Sequence, residues 1–151
     1  MDWISLTGSV ASIGGAAISI FSAIKANSIK NMIIGKWHSD IISELKMLGK
    51  VTLSQINKIC KPEEKLRGIN LSEIVDSAQK FYESLSEHKD ILSRCKFSGL
   101  EKLLTDLGSE IKSLKYQNNK LEIRNSGDVL YDLTLKTIQK LSTISNTKLK
   151  E

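Results

Sequence analysis

The sequence predicts an all-α fold, a helical bundle of about four to five helices whose first helix is rich in glycine and serine. One proline and nine glycines in 151 residues leave few positions that stop a helix. Aromatic residues make up only 5% of the chain, which disfavours a β-sandwich. Apolar residues recur in steps of three and four along most of the chain, which is typical of amphipathic helices. The length fits one domain with a modest core.

The N-terminal segment from Trp3 to Ile24 contains no charged residue. On a helix its bulky side chains form one face and its small side chains form the opposite face. Small residues recur four apart, and such ladders allow helix backbones to approach closely in lipid. The residues predicted to contact a membrane are Trp3, Leu6, Val10, Ile13, Ile20, Phe21 and Ile24. The residues predicted to pack helix against helix are Gly8, Ser12, Gly15 and Ser19.

The length of this segment fits a bilayer. At about 1.5 Å per residue, 22 residues extend about 33 Å, against about 30 Å for the hydrocarbon core. Lys25 and Lys30 follow while only Asp2 precedes, so the positive-inside rule places the C-terminal side in the cytoplasm. Asp2 stands where a signal peptide would carry basic residues, so we expect no secretory signal. The sequence favours a membrane role for the segment, while the centre of a soluble bundle, or burial in one state and insertion in another, remains the alternative.

The sequence after this segment predicts an amphipathic helical bundle. The protein is therefore expected to consist of an N-terminal helix at 1–27 and a bundle at 28–151. Apolar spacing predicts a helix from Ser28 to about Cys60, with Gly49 and the pair Val51-Thr52 as points of interruption. Pro62 is expected to end this arm.

Local signals place the next helix boundaries. Asn70 with Glu73 three residues later predicts an N-cap of the capping-box type. The helix that follows loses its apolar register near His88, which predicts a kink. Phe97-Ser98-Gly99 predicts a second break, and a leucine stripe from Leu100 predicts a further helix that extends toward Leu121.

The stretch from 121 to 135 supports two interpretations. Alternating apolar residues around Asn125–Asp128 fit a β-hairpin. Leu130, Leu133 and Leu141 fit a helix equally well. Because an isolated hairpin is only marginally stable, the sequence favours a helix-turn-helix with Asp128 as the cap. The last six residues are expected to fray.

Catalytic chemistry is poorly represented, and the sequence predicts no catalytic, cofactor or metal site. His38 and Asp40 do not share a helix face, and no set of three or four metal ligands converges. Gly14-Gly15 lacks the lysine of a phosphate loop. The net charge of +5 is spread among mixed charges, so we expect no nucleic-acid partner. Cys60 and Cys95 are expected to be reduced.

The segment "SLTGSVASIGGAAISIF" and the helices that follow resemble the membrane-acting helical bundles of cell-death proteins. These include the fungal HeLo-type domains, the plant domain of the powdery-mildew-resistance type and the bundle of the mixed-lineage kinase-like pseudokinase. The chain also looks like small bacterial anti-phage effectors with one glycine-rich membrane helix. The resemblance implies that residues 3–24 enter or disrupt a membrane and that residues 28–148 restrain or trigger them.

Two functions are therefore predicted in competition. The first is a non-enzymatic, pore-forming effector of a bacterial defence or cell-death system. It would be cytoplasmic, associate with or be anchored in the inner membrane, oligomerise through its N-terminal helix and respond to a regulatory protein encoded nearby. The second is a soluble helical adaptor or immunity-type module in which residues 3–24 are core and the charged faces bind a partner protein.

Overall fold

A computed structural model describes residues 3–60 and 68–148, with side chains placed for residues 19, 21–60 and 68–146. This part of the chain is helical and contains no strand, which confirms the all-α prediction. The chain divides into two compact units, Met1–His38 and Ser39–Glu151. The five helices are α1 (Trp3–Ile56), α2 (Leu71–Glu87), α3 (Lys89–Arg94), α4 (Leu100–Tyr116) and α5 (Lys120–Lys148).

Helix α1 runs through 54 residues without interruption. The N-terminal helix and the helix from Ser28, predicted as separate, form one helix that ends at Ile56, before the predicted end near Cys60. The interruption predicted at Gly49 or Val51-Thr52 is wrong. A β-carbon on Gly49 would lie 2.8 Å from Cγ1 of Ile138 and 3.1 Å from the ring of Phe81. Glycine is needed here because side chains of α2 and α5 pack directly against the backbone of α1. This packing offsets the cost of glycine within a helix, which is about 1 kcal/mol relative to alanine.

The core of the second unit joins all five helices. Its fully buried side chains are mostly leucine and isoleucine around the ring of Phe81, which is 1% exposed. Burial of each such side chain contributes about 1.5–3 kcal/mol relative to full exposure. The large side chains with the least exposure are Ile42, Leu45, Ile56, Ile59, Ile74, Phe81, Leu85, Leu92, Leu107, Leu114, Leu130 and Leu141.

The break between α3 and α4 is a hydrogen-bonded helix end, as the pattern at Phe97–Gly99 predicts. The Phe97 amide donates to the Leu92 carbonyl and the Lys96 amide donates to the Ser93 carbonyl, each at 3.0 Å. These two bonds form a Schellman motif, in which the first residue after the helix adopts a left-handed backbone conformation. Lys96 takes that conformation, with φ of 59°. The kink predicted near His88 is also confirmed, since α2 ends at Glu87 and α3 begins at Lys89.

Side chains of α5, α3 and α4 also contact the turn between α3 and α4. Lys140 donates to the carbonyl of Ser98 at 2.7 Å. Its ammonium also lies 5.5 Å from the ring centroid of Phe97, within the range of a cation–π contact. Lys89 and Glu101 form an exposed ion pair across it.

Asn70 occupies the N-cap of α2 as predicted, but the capping box does not form. Its side chain makes no hydrogen bond to the backbone of the first turn. Instead its amide donates to Oε1 of Glu73 at 3.0 Å. The two residues of the motif therefore bond to each other through their side chains.

Helix α5 corrects the interpretation of 121–135. The hairpin is wrong, and so is the turn with Asp128 as cap, because one helix begins at Lys120 and passes through all of these residues. At its start the carboxamide of Asn119 accepts from the Leu121 amide at 3.1 Å. A β-carbon on Gly127 would lie 2.9 Å from Ile59, so this glycine serves a close helix approach. Helix α4 ends at Tyr116, short of the predicted extension to Leu121.

Both cysteines are free thiols in the structure. Cys60 donates to the carbonyl of Ile56 at 3.4 Å. Burial, followed by the neighbouring Asp128 carboxylate, raises the pKa of the Cys60 thiol to about 12. Because the thiolate is the reactive form, this cysteine is a poor nucleophile.

Candidate interaction surfaces

Large apolar side chains are exposed along α1 in the first unit. Phe21 is 70% exposed, Met32 is 67% exposed and Trp37 is 55% exposed, whereas Ile42 in the second unit is 1% exposed. We name residues 21–37 of α1 the exposed apolar segment. Exposed large apolar side chains in such number typically mark a site for a protein or a membrane. Its large hydrophobic residues are Phe21, Ile24, Ile29, Met32, Ile33, Ile34 and Trp37.

The charges of the exposed apolar segment have one sign. Lys25, Lys30 and Lys36 are all exposed. No acidic residue occurs between Asp2 and Asp40. The rest of the chain, by contrast, contains acidic as well as basic residues. The segment is therefore both apolar and purely cationic.

Helical geometry places two of the lysines among the apolar side chains. Lys25 and Lys36 are eleven residues apart, which is about three turns, so they lie on nearly the same face, about 16 Å from each other. Met32 lies on this face as well. Long lysine stems can extend along apolar surface and present their ammonium groups at its edge.

The residues predicted for the N-terminal site are only partly described. Phe21 and Ile24 are exposed on α1, and so is Ser19, two residues before Phe21. The backbone of residues 3–18 and of residue 20 belongs to α1. Their side chains lie outside the described residues, so the placement of the other predicted contacts stays a prediction: Trp3, Leu6, Val10, Ile13 and Ile20 for the membrane, and Gly8, Ser12 and Gly15 for helix packing.

The second half of the exposed apolar segment was missed by sequence reasoning. Met32, Ile33 and Trp37 are among the apolar residues whose spacing predicts the helix from Ser28 to about Cys60. Periodicity identifies apolar positions but does not say whether a partner helix covers them. Two signals were available: the three consecutive apolar residues 32–34 fit no single stripe, and acidic residues are absent until Asp40.

No metal or catalytic constellation occurs among the described side chains. They contain no group of three or more histidine, cysteine or acidic residues that could hold a metal ion. His38 is 9% exposed, and its ring lies 5.7 Å from that of Trp37, whereas Asp40 is exposed. The two rings therefore pack against each other on α1.

A second surface lies in the other unit, where an open groove of about 970 Å³ runs between α2 and α4. Tyr82 lines it opposite Gly108, where a β-carbon would lie 3.3 Å from the tyrosine ring. The groove mixes apolar and polar groups, including Asp76 and Lys112. Its volume lies at the upper end of the range of ligand-binding pockets in proteins.

Among the helices searched, which cover only the described residues, none is both long enough and apolar enough to span a bilayer.

The comparisons with known proteins return no relative. No family profile matches the chain, and no curated protein or solved structure matches it significantly.

Proposed function

We propose that this protein is a non-enzymatic membrane effector that oligomerises through the N-terminal part of α1 and disrupts a bilayer. The observation that carries this proposal is the exposed apolar segment, which continues the uncharged residues 3–24 along one helix. Water is an unfavourable surrounding for these side chains, since covering each would gain about 1.5–3 kcal/mol. A membrane covers such a helix without requiring a specific partner.

The small residues of the N-terminal part would supply contacts between copies. Gly8, Ser12 and Gly15 recur at spacings that let helices approach closely in lipid, where interfaces favour small side chains. Several copies are necessary, because a single helix cannot enclose an aqueous path. The resemblance to cell-death bundles supports a role in bacterial defence, at the cytoplasmic face of the inner membrane.

The second unit would supply control. Its core is continuous from Ile42 to Leu141, so it can fold and bind a regulatory protein whatever the state of residues 3–24. Such a body is suited to hold back or release the membrane-active part. The regulatory protein would be encoded near this one.

A carboxylate in the uncharged segment tests the proposal. Bacteria expressing the natural chain, Gly15→Glu or Ser43→Glu would be followed with a membrane-potential dye. A charge within a bilayer is expensive, so we expect Gly15→Glu to abolish depolarisation. Ser43 is exposed on the same helix within the second unit, so Ser43→Glu should depolarise like the natural chain. Equal depolarisation by all three, or by none under conditions that yield folded protein, would refute the proposal.

The groove between α2 and α4 favours a second candidate, an adaptor that binds a partner protein. Its lining offers both apolar contact and hydrogen-bonding groups, as a protein interface does. In this case residues 3–24 have a structural role. A detergent-free monomer that stays soluble in the presence of membranes, and that loses a partner when Gly108→Trp fills the groove, would support the adaptor over the effector.

A further inference from the structure

We propose that two copies of this chain pair in water through antiparallel α1 helices, with the first unit of one copy against the second unit of the other. The proposal goes beyond the membrane function proposed above and does not depend on it, because it concerns the protein before it meets a bilayer. It rests on an exposed apolar stripe in each unit and on charges of opposite sign beside the two stripes.

The stripe of the first unit runs along one side of α1. Ile29, Ile33 and Trp37 are 44%, 61% and 55% exposed. They follow one another in steps of four residues, so they lie within about 80° of arc around the helix. Lys30 and Lys36 are exposed and lie at its two edges, each about 60° from its centre. We name these five residues the basic stripe.

The stripe of the second unit has acidic neighbours instead. Met47 is 61% exposed and Val51 is 53% exposed. Glu44 and Asp40, one and two turns before Met47, are also exposed and share its side of α1, within about 60° of arc. This side points away from the core, in which Leu45 is 1% exposed. We name Asp40, Glu44, Met47 and Val51 the acidic stripe.

Antiparallel pairing brings the opposite charges of the two stripes together. In the register that sets Lys36 of one copy level with Asp40 of the second, Lys30 lies within two residues of Glu44, or about 3 Å along the axis. None of these four side chains forms an ion pair within the described part of its own copy. Parallel pairing would instead set each lysine beside the same lysine of the second copy. Charges at the edges of an apolar seam therefore favour the antiparallel orientation.

The same register covers the apolar side chains of both stripes. Met47 of the second copy lies level with Ile29, and the two Trp37 rings lie near the centre of the pair. Removal of this apolar surface from water favours association. Both stripes belong to α1, so each copy makes the contact in both directions, which closes the assembly at two copies.

Other occupants would cover only part of this surface. A nucleic acid or an anionic membrane could cover the basic stripe but would be repelled by the acidic stripe. A separate acidic helix would cover the basic stripe and leave Met47 and Val51 in water. A second copy covers both stripes and neutralises the charges beside them.

Disulfide cross-linking tests the antiparallel contact. Ile29→Cys and Met47→Cys would be made separately, with Cys60→Ser and Cys95→Ser in both, and expressed with different tags, together or alone. Oxidation in the detergent-free soluble fraction should join the two variants to each other at least tenfold faster than either to itself, because identical positions would lie about 27 Å apart. Equally fast joining of Ile29→Cys to itself, which indicates parallel helices, or no cross-link between the two variants, would overturn the proposal.

Charge reversal tests the register, with dimer formation by the full chain measured by sedimentation velocity without detergent. We expect Lys36→Glu or Asp40→Lys alone to weaken dimerisation about tenfold, since each reversal turns an attraction into a repulsion at two places. The double variant restores opposite charges at both places and should dimerise within about threefold of the natural chain. Lys102→Glu, at an exposed position of α4, is the matched control and should leave dimerisation unchanged. A monomeric natural chain, an equal loss in the control, or a double variant as weak as the single ones would refute the pairing.

Discussion

The ring of Phe81 in α2 lies 3.1 Å from the point where a β-carbon would stand on Gly49 of α1. Ile138 of α5 lies still closer to that point, at 2.8 Å. Three helices of the second unit therefore meet at a position with no side chain. This contact explains why α1 continues through a residue that the sequence identified as a breaker.

We expect Gly49→Ala to lower the free energy of unfolding by about 1–2 kcal/mol. An approach as close as 2.8 Å should cost about 2–3 kcal/mol, in the upper part of the typical range for overpacking, while alanine regains about 1 kcal/mol of helix propensity. Urea unfolding followed by circular dichroism measures the difference. Gly35→Ala is the matched control, because a β-carbon there meets nothing within 4 Å. Stability that is unchanged or raised in Gly49→Ala would show that the helices can separate at no cost.

Replacement of Lys96 by glycine is expected to stabilise the protein. Its left-handed conformation costs a residue with a β-carbon about 1–2 kcal/mol, and glycine avoids that cost. Glycine also loses more chain entropy on folding, by about 0.4–1 kcal/mol. We therefore expect Lys96→Gly to stabilise the protein by about 0.5–1 kcal/mol in thermal or urea unfolding. Lys96→Ala keeps the β-carbon and should bring no gain, so an equal gain from alanine would assign the effect to the lost charge.

The thiol of Cys60 is expected to react slowly in the folded protein. Burial, and after it Asp128, raises its pKa to about 12, so little thiolate forms at pH 8. In a Cys95→Ser background, where Cys60 is the only cysteine, Asp128→Asn should speed alkylation by iodoacetamide. Unfolding in urea should speed it further, because burial is the larger cause. A rate that Asp128→Asn leaves unchanged would show that burial alone controls this thiol.

The raised pKa of Cys60 also determines the direction in which the stability of the protein changes with pH. A thiol with a higher pKa when folded keeps its proton while the unfolded chain loses it, so stability declines as the pH rises from 9.0 toward about 12. Cys60→Ser removes this titration. The decline in the urea midpoint over that range should therefore be shallower in Cys60→Ser, and an identical decline would contradict the assignment.

The fold class could be predicted because spacing and the scarcity of breakers depend only on local sequence. The turn expected at Asn125–Asp128 could not be rejected locally, since those residues favour turns. What overrides them is tertiary: Gly127 lies against Ile59, and Ser126 is 7% exposed within α5. Glycines were interpreted as breaks where the bundle uses them for close approach.

The candidate site was predictable only in part, for the same reason. The uncharged stretch identified Phe21 and Ile24 without knowledge of the fold. Met32 and Trp37 have the same apolar character as the buried Leu45, and the run of apolar residues at 32–34 and the missing acidic residues are only indirect signs of exposure. Exposure depends on which helices are near, and that information resides in contacts between distant parts of the chain.

Thr52 provides the last prediction, because it was expected to interrupt α1 and instead ties it to α2. Its side chain is 2% exposed, and its hydroxyl donates to the backbone carbonyl of Ser77 at 3.1 Å, with the Ser77 hydroxyl 3.2 Å away. Thr52→Val keeps the shape and removes the donor, so we expect a loss of about 1 kcal/mol in unfolding free energy. Ser77→Ala keeps the carbonyl that accepts the bond and should cost less. Combining the two substitutions measures their coupling, which should stay below about 0.5 kcal/mol if the carbonyl is the main partner. A larger coupling would instead make the bond between the two hydroxyls the one that holds α1 and α2 together.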